Sequence, residues 1–306
     1  MLSFFYMNYL FFYSGNIPTY VHKVINSILS IDKESNIIFC SDQNINTKEI
    51  VHVNIKDFEF LTEKMMLIKD MYRDTISDYK INPLWATSLL RLYSIEIVAK
   101  ELNLKEFVHF DTDVLIYIPF SKISDKKVFK AKNLNITFES QNMPIYGYSY
   151  VDDLEVLNKI NIEVDNFIGK FISHKPHVND NPINEMKLLG RINTTRSDLI
   201  NKLPSLPYEE ENILFDPVSY GMYLRGADFN QKSYFFKKSF IDLRHDVGAE
   251  VKSKRIEIKF KGNTPEVIYN NSRIPLANLH VHSKQFDKLL PFGYKKYLTE
   301  SVFDKN

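Results

Sequence analysis

One stretch constrains the fold more than any other. It is Phe107-Val108-His109-Phe110-Asp111-Thr112-Asp113-Val114-Leu115, an acidic turn set between two apolar runs. Glu106 to Phe110 reads as a short buried strand, and Val114 to Ile118 is a second apolar stretch closed by Pro119. Carboxylates are costly to bury unless a cation or another partner uses them. Asp111 and Asp113 therefore belong at the end of a sheet, at an opening. Two Asp separated by one residue on such a turn can hold one divalent ion through oxygen ligands, and Mg²⁺ or Mn²⁺ in such sites also takes oxygens from a diphosphate. With no ion bound, the two carboxylates are expected to repel each other.

The chain upstream supplies a sheet of the required kind. Phe4 to Tyr13 is a continuous aromatic and aliphatic run ending at Ser14-Gly15-Asn16, which reads as a buried strand entering a turn. Pro18 suits a first helical turn, and Val21, Val24, Ile25, Ile28 and Leu29 recur at helical spacing. Asn36 to Cys40 and Val51 to Ile55 are short strand-like runs. Helices are expected over Phe60 to about Tyr72 and over Leu84 to Leu102, the second leading directly into the short strand that ends at the acidic turn. This opening is that of an α/β nucleotide-binding unit with a mostly parallel sheet, in which ligands sit beyond the carboxyl ends of the strands.

Farther on, Asn133 to Phe138 reads as a strand, Leu154 to Ile172 as one or two helices, and Leu199 to Pro207 as a helix end running into a turn. A helix is expected around Ser219 to Leu224. Ile256 to Phe260, Pro265 to Tyr269 and Leu276 to His282 read as strands of a small β region, followed by an amphipathic tail from Lys284 to about Tyr297. No internal repeat or low-complexity linker interrupts the chain. The reading is one domain over residues 1–306, with a nucleotide-binding half (1–120) and an acceptor half carrying a C-terminal extension (121–306).

Composition removes several classes. Among 306 residues, Lys+Arg total 39 against Asp+Glu 38, a formal net charge of +1, which argues against nucleic-acid binding by bulk electrostatics. The single cysteine, Cys40, excludes an internal disulfide and any Cys-cluster metal site and suits a reducing compartment. The apolar run at Met1 to Phe12 has no basic region before it and no small-residue cleavage site after it, and about 12 residues fall short of the roughly 20 a spanning helix needs. A cytoplasmic protein without an integral membrane segment is expected, with peripheral attachment to a membrane left open. Gly-rich phosphate loops and a Gly-x-Ser-x-Gly elbow are absent, which lowers nicotinamide oxidoreductases, P-loop kinases and α/β-hydrolases.

Two further groups of residues can serve the Asp pair. Arg91, in the helix before the acidic turn, is either a surface or snorkelling arginine or a fork aimed at a phosphate or sugar hydroxyl. In Leu279-His280-Val281-His282-Ser283-Lys284, an extended backbone would turn His280 and His282 to one side, with Lys284 continuing that face as a point charge for phosphate.

Taken together, the strand-turn-helix start, Arg91 before the Asp-x-Asp turn and a late His followed by Lys resemble nucleotide-sugar-dependent glycosyltransferases of the GT-A fold. The resemblance covers roughly residues 2 to 120 and 276 to 286. It implies that Asp111 and Asp113 hold Mn²⁺ or Mg²⁺ against the donor diphosphate, that His280 is the leading third metal ligand and His282 the reserve, and that Arg91 and Lys284 assist at the diphosphate. It also implies that Asp42 reads the nucleotide base and that Tyr13, Ser14 and Gly15 line the nucleotide; from its position alone Asp42 reads equally as a strand-end turn former. Asp216, before Pro217, reads as a turn initiator or helix cap, or else as a functional residue that faces the acceptor sugar and orients its hydroxyl or accepts its proton. The one branch of the fold that ends in His, Gly, Lys, Pro and Trp is matched here only by the His and a Lys four positions on. Partners implied are a nucleoside-diphosphate sugar and a glycan or other hydroxyl acceptor. Two other readings stand beside this one: a nucleotidyltransferase, which would normally show a Gly- and Arg-rich loop after the first strand, and a non-catalytic carbohydrate-binding protein using some of its 18 Tyr and 23 Phe.

Overall fold

A seven-stranded, mostly parallel sheet forms the centre of the computed structural model, which describes residues 7–47, 50–73, 82–174, 184–210, 212–226, 243–284, 286 and 289. The first residues of the expected opening strand and nearly all of the expected C-terminal amphipathic tail lie outside the described residues. Strand β1 (Asn8–Tyr13), helix α1 (Thr19–Ile31), β2 (Asn36–Ser41) and β3 (Val51–Asn54) come first. Helices α2 (Glu59–Tyr72) and α3 (Pro83–Glu101) then lead to β4 (Phe107–Phe110) and β5 (Val114–Ile116). The middle holds β6 (Leu134–Ser140), β7 (Met143–Val151), α4 (Leu154–Ser173), α5 (Glu185–Thr195) and β8 (Ile200–Lys202). Helix α6 (Asp246–Lys252) and strands β9 (Glu257–Lys261), β10 (Thr264–Tyr269), β11 (Ser272–Pro275) and β12 (Asn278–His280) follow. The order β3-β2-β1-β4-β7-β6-β8 is parallel from β3 to β4, antiparallel at β4–β7 and β7–β6, and parallel again at β6–β8. The α/β class with a small C-terminal β region is thus the class expected.

The period of two along β1 builds both layers. Tyr9 and Phe11 point into the core shared with α1, while Leu10 and Phe12 point into the core covered by α2, α3, α4 and α5. Both faces are filled, as a parallel strand requires. Helix α1 contributes Val21, Val24, Ile25 and Ile28, all fully buried, each worth about 1.5–3 kcal/mol on removal from water. Helix α3 starts at Pro83 because Asn82 Oδ1 accepts the Leu84 N–H at 3.0 Å.

Three elements differ from expectation. Residues 200–202 form strand β8, not a helix end, because their backbone pairs with β6. Strand β7, which has no counterpart in the sequence reading, pairs β4 on one side and β6 on the other. Pro144 and Gly147 interrupt its apolar pattern, and two register shifts in the β6–β7 pairing, at Ile136/Thr137 and Phe138/Ser140, accommodate it. Of the expected strand at 276–282, β12 keeps only residues 278–280, with His282 in the turn that follows.

Candidate active site

The acidic turn leaves the carboxyl end of β4, where the parallel part of the sheet meets β7. Asp111 donates its N–H to the Gly147 carbonyl at 2.9 Å, and its own carbonyl accepts from Val114 at 3.0 Å. Strand β12 runs antiparallel to β5, pairing His280 with Val114, and the Asp113 carbonyl accepts the Val281 N–H at 2.8 Å. This pairing carries the late His-Lys segment across to the Asp turn. A turn closed by the Lys284 N–H on the Val281 carbonyl, with Lys284 itself at φ 55°, brings Lys284 back over Asp113.

Asp113 is the hub. Its Oδ1 lies 3.1 Å from His280 Nε2 and its Oδ2 accepts from Lys284 Nζ at 2.7 Å. Burial alone would raise its carboxyl, but His280, Lys284 and His282 beside it prevail and hold it well below the usual carboxylate range. The expectation of two carboxylates repelling in an empty site is therefore corrected: each already has a cation. Asp111 is ion-paired through Oδ1 with Arg91 Nη1, and its Oδ2 is 3.9 Å from His280 Nε2. One ligand atom from each of Asp113, His280 and His282 lies within 4.8 Å of the other two, and the two imidazole centroids are 4.7 Å apart. One carboxylate oxygen and two imidazole nitrogens form a donor set that fits a divalent transition ion, with Asp111 at its edge.

The cluster opens into a cavity of about 570 Å³. Tyr13, Ser14, Arg91, Asp111, Asp113 and Lys284 all line it, as do His280 and His282. Asp42 and Gly15 are not among its lining residues. Asp42 instead accepts from the Gly15 N–H at 2.8 Å and the Ser14 hydroxyl at 2.9 Å. Burial works to raise the Asp42 carboxyl, and these bonds, with Gln43 and Lys56, hold it below its ordinary value. It shapes the β1 loop, in which Gly15 sits at φ 102°, a conformation that needs glycine.

Asp216 takes the cap reading, not the acceptor one. It is 1% exposed and does not line the cavity. Its Oδ1 accepts from the backbone of Val218 (2.8 Å) and Tyr220 (2.9 Å), and its Oδ2 from Gly221 and His280 (both 2.8 Å). All four acceptor directions are taken, so the carboxylate caps a helical turn (Ser219–Gly221) and ties His280 to it; no face is left for an acceptor sugar. Val218, at φ 148°, is a β-branched residue in a strained conformation that this grip sustains.

Four lining or supporting residues escaped the sequence reading. Glu185 is the first residue of α5, whose cap is Asn184 Oδ1 accepting the Lys187 N–H at 2.9 Å. Both Glu185 oxygens accept from Arg91 Nη2, at 2.9 and 2.8 Å. Burial pushes the Glu185 carboxyl up while Arg91 works against it. Arg91 is thus stretched between Glu185 and Asp111 and lies over the Tyr146 ring, 5.4 Å from its centroid. Gly147 leaves room for the His280 ring: a Cβ there would lie 2.9 Å from its Cε1 and Nδ1. Glu139, at the cavity wall, meets His245 Nε2. The Asn184-Glu185 cap pattern was a readable signal; the other three depend on contacts made across the fold.

No family model matches the sequence, and no curated protein does. Solved structures to which the fold is similar are glycosyltransferases. An active-site mutant of LgtC shares 11% identity over 95% of this chain and 94% of that one, with a TM-score of 0.46. Mouse xyloside xylosyltransferase 1 shares 11% identity over 65% of this chain and 85% of that one, TM-score 0.43. The PaToxG glycosyltransferase shares 11% over 63% and 70%, TM-score 0.40. Among the described residues no helix is long and apolar enough to cross a membrane.

Proposed function

We propose that the chain is a glycosyltransferase that moves a sugar from a nucleoside-diphosphate donor to an acceptor hydroxyl with the help of a divalent ion. The observation that carries this reading is the convergence of Asp113, His280 and His282 on one point at the carboxyl end of the sheet, inside a cavity also lined by Lys284 and Arg91. Asp113, His280 and His282 hold the ion, with Asp111 beside them; two imidazoles favour Mn²⁺ over Mg²⁺. When bound, the ion supplies neutralisation of the charge that develops on the departing diphosphate. Lys284 leaves Asp113 for the diphosphate, since its ammonium stands on the same rim. Tyr13 and Ser14 flank the nucleotide at the β1 end, and Arg91, pinned by Glu185, faces the sugar end of the cavity.

The test is calorimetry with UDP or GDP, with and without Mn²⁺, followed by a panel of nucleotide sugars assayed for slow hydrolysis. Metal-dependent nucleotide binding, abolished by EDTA and by His280→Ala, is the expected result. Binding of every nucleotide unchanged by Mn²⁺, or none at all, would defeat the reading.

A further inference from the structure

Among the described residues four carboxylates line the cavity: Asp111, Asp113, Glu139 and Glu185. Permanently charged side chains hold three of them, Arg91 on Asp111 and Glu185 and Lys284 on Asp113. Glu139 differs. Among the described residues its close partner is an imidazole, Nε2 of His245, and the other nitrogen of that ring lies 3.2 Å from the Ser219 hydroxyl. Glu139 and His245 side chains are only 12% and 11% exposed, and Ser219 is 1% exposed. Ser219 opens the helical turn capped by Asp216, the same carboxylate that accepts the His280 N–H. The Glu139–His245–Ser219 chain is therefore anchored to the turn that also anchors a candidate metal ligand, and it ends in a carboxylate at the cavity wall.

On the transferase reading, on which this inference rests, we propose that Glu139 is the catalytic residue that takes the proton from the acceptor hydroxyl, and that His245 and Ser219 are positioning residues for it. The Ser219 hydroxyl donates to His245 Nδ1, and the Nε2–H donates to one Glu139 oxygen, leaving the other oxygen for the acceptor. As the acceptor oxygen bonds to the anomeric carbon, the bond from that carbon to the diphosphate breaks and its electron pair leaves with the diphosphate. The acceptor O–H proton passes to Glu139. The Glu139–His245 pair carries one negative charge before the step and none after it. A carboxylate whose partner is a single imidazole keeps an acceptor direction for that proton, whereas Asp111, Asp113 and Glu185 are each already engaged by an Arg or Lys side chain. Asp216 is excluded from this work by its four backbone donors.

The experiment compares wild type, Glu139→Gln, His245→Ala and His245→Gln. Mn²⁺·UDP and Mn²⁺·GDP binding is measured by calorimetry, hydrolysis is followed with UDP-glucose, UDP-galactose, UDP-N-acetylglucosamine and GDP-mannose, and urea midpoints check the fold. Glu139→Gln should bind the metal–nucleotide like wild type while turnover with water falls about 10²–10⁴-fold. Sodium azide, a nucleophile with no proton to lose, should restore turnover in Glu139→Gln and yield the glycosyl azide. His245→Ala should lower kcat with donor KM unchanged, and His245→Gln, which keeps a donor toward Glu139, should recover most of it. Wild-type turnover in Glu139→Gln, no azide product despite intact binding, or loss of metal–nucleotide binding in step with turnover would each overturn the assignment. If the wild-type chain neither binds the metal–nucleotides nor hydrolyses any donor, the transferase reading itself has failed and this inference falls with it.

Discussion

Replacing Asp216 by Asn separates a structural carboxylate from an acceptor base. In the wild type, two backbone N–H groups converge on each Asp216 oxygen. An Asn side chain keeps one oxygen for one pair and turns an NH₂ toward the other, so two charge-assisted bonds are lost inside a site that is 1% exposed. At about 1.5–3 kcal/mol each, the loss is about 3–6 kcal/mol. That is a large share of the roughly 5–15 kcal/mol that holds an ordinary domain folded. Asp216→Ala would orphan all four donors and is less informative, because little folded protein would remain. The assay is urea unfolding followed by circular dichroism, with the midpoint shifted and the slope unchanged. Because one of the donors is the His280 N–H, Mn²⁺·UDP affinity should fall alongside stability. A variant within about 1 kcal/mol of wild type that binds Mn²⁺·UDP normally yet has lost turnover would refute the reasoning. It would return Asp216 to the acceptor role that its place in the sequence implied.

Other outcomes follow from the same geometry. Asp113→Asn should abolish metal-dependent nucleotide binding in calorimetry; because it also leaves Lys284 and His280 without their carboxylate, stability without metal should drop by about 1 kcal/mol, a small figure because Lys284 is partly solvated. Gly147→Ala pushes a methyl against the His280 ring and should weaken Mn²⁺·UDP binding at least about tenfold with the urea midpoint nearly unchanged, whereas Gly221→Ala, whose Cβ would collide with the His280 carbonyl oxygen, should disrupt the fold around the turn. His109 is fully buried, with Nδ1 2.8 Å from the Leu10 carbonyl, and burial first, then Arg91, holds its pKa well below the usual value. The unfolded chain takes up a proton there below about pH 6.5 and the folded chain does not, so stability should fall with acidification by up to about 1.4 kcal/mol per pH unit. Denaturant titrations from pH 7 to 5 should show a shallower slope in His109→Gln, and equal slopes would sink this account.

What could be read from the sequence was whatever short-range pattern decides. The continuous apolar run of β1, the helical spacing in α1 and α3, and the placing of an acidic turn after an apolar strand all depend on neighbours within a few residues. The approach of His280 to Asp113 is of another kind: Lys284 and Asp113 are 171 positions apart, the pairing of β12 with β5 that joins them has no local signal, and only the resemblance to GT-A transferases brought the late His to the Asp pair. Strand β7 was hidden because Pro144 and Gly147 read as breakers. Its pairing on both sides supplies the stability that its local pattern lacks, and Gly147 is kept small by the imidazole above it.

The same distinction explains why the two readings of Asp216 could not be separated from sequence and why Glu139 was overlooked. An Asp before Pro at the mouth of a helical turn is compatible with a cap and with a catalytic group; which of the two it is depends on how many backbone donors point at it, and one of those, His280, comes from 64 residues away. Glu139 stands near the end of an ordinary strand and gains chemical character only when His245 is brought to it from beyond residue 243. In both cases the decisive quantity is the partner that satisfies the carboxylate. Four backbone amides take up the acceptor directions of Asp216, whereas Glu139, a cavity-lining residue, meets one imidazole among the described residues.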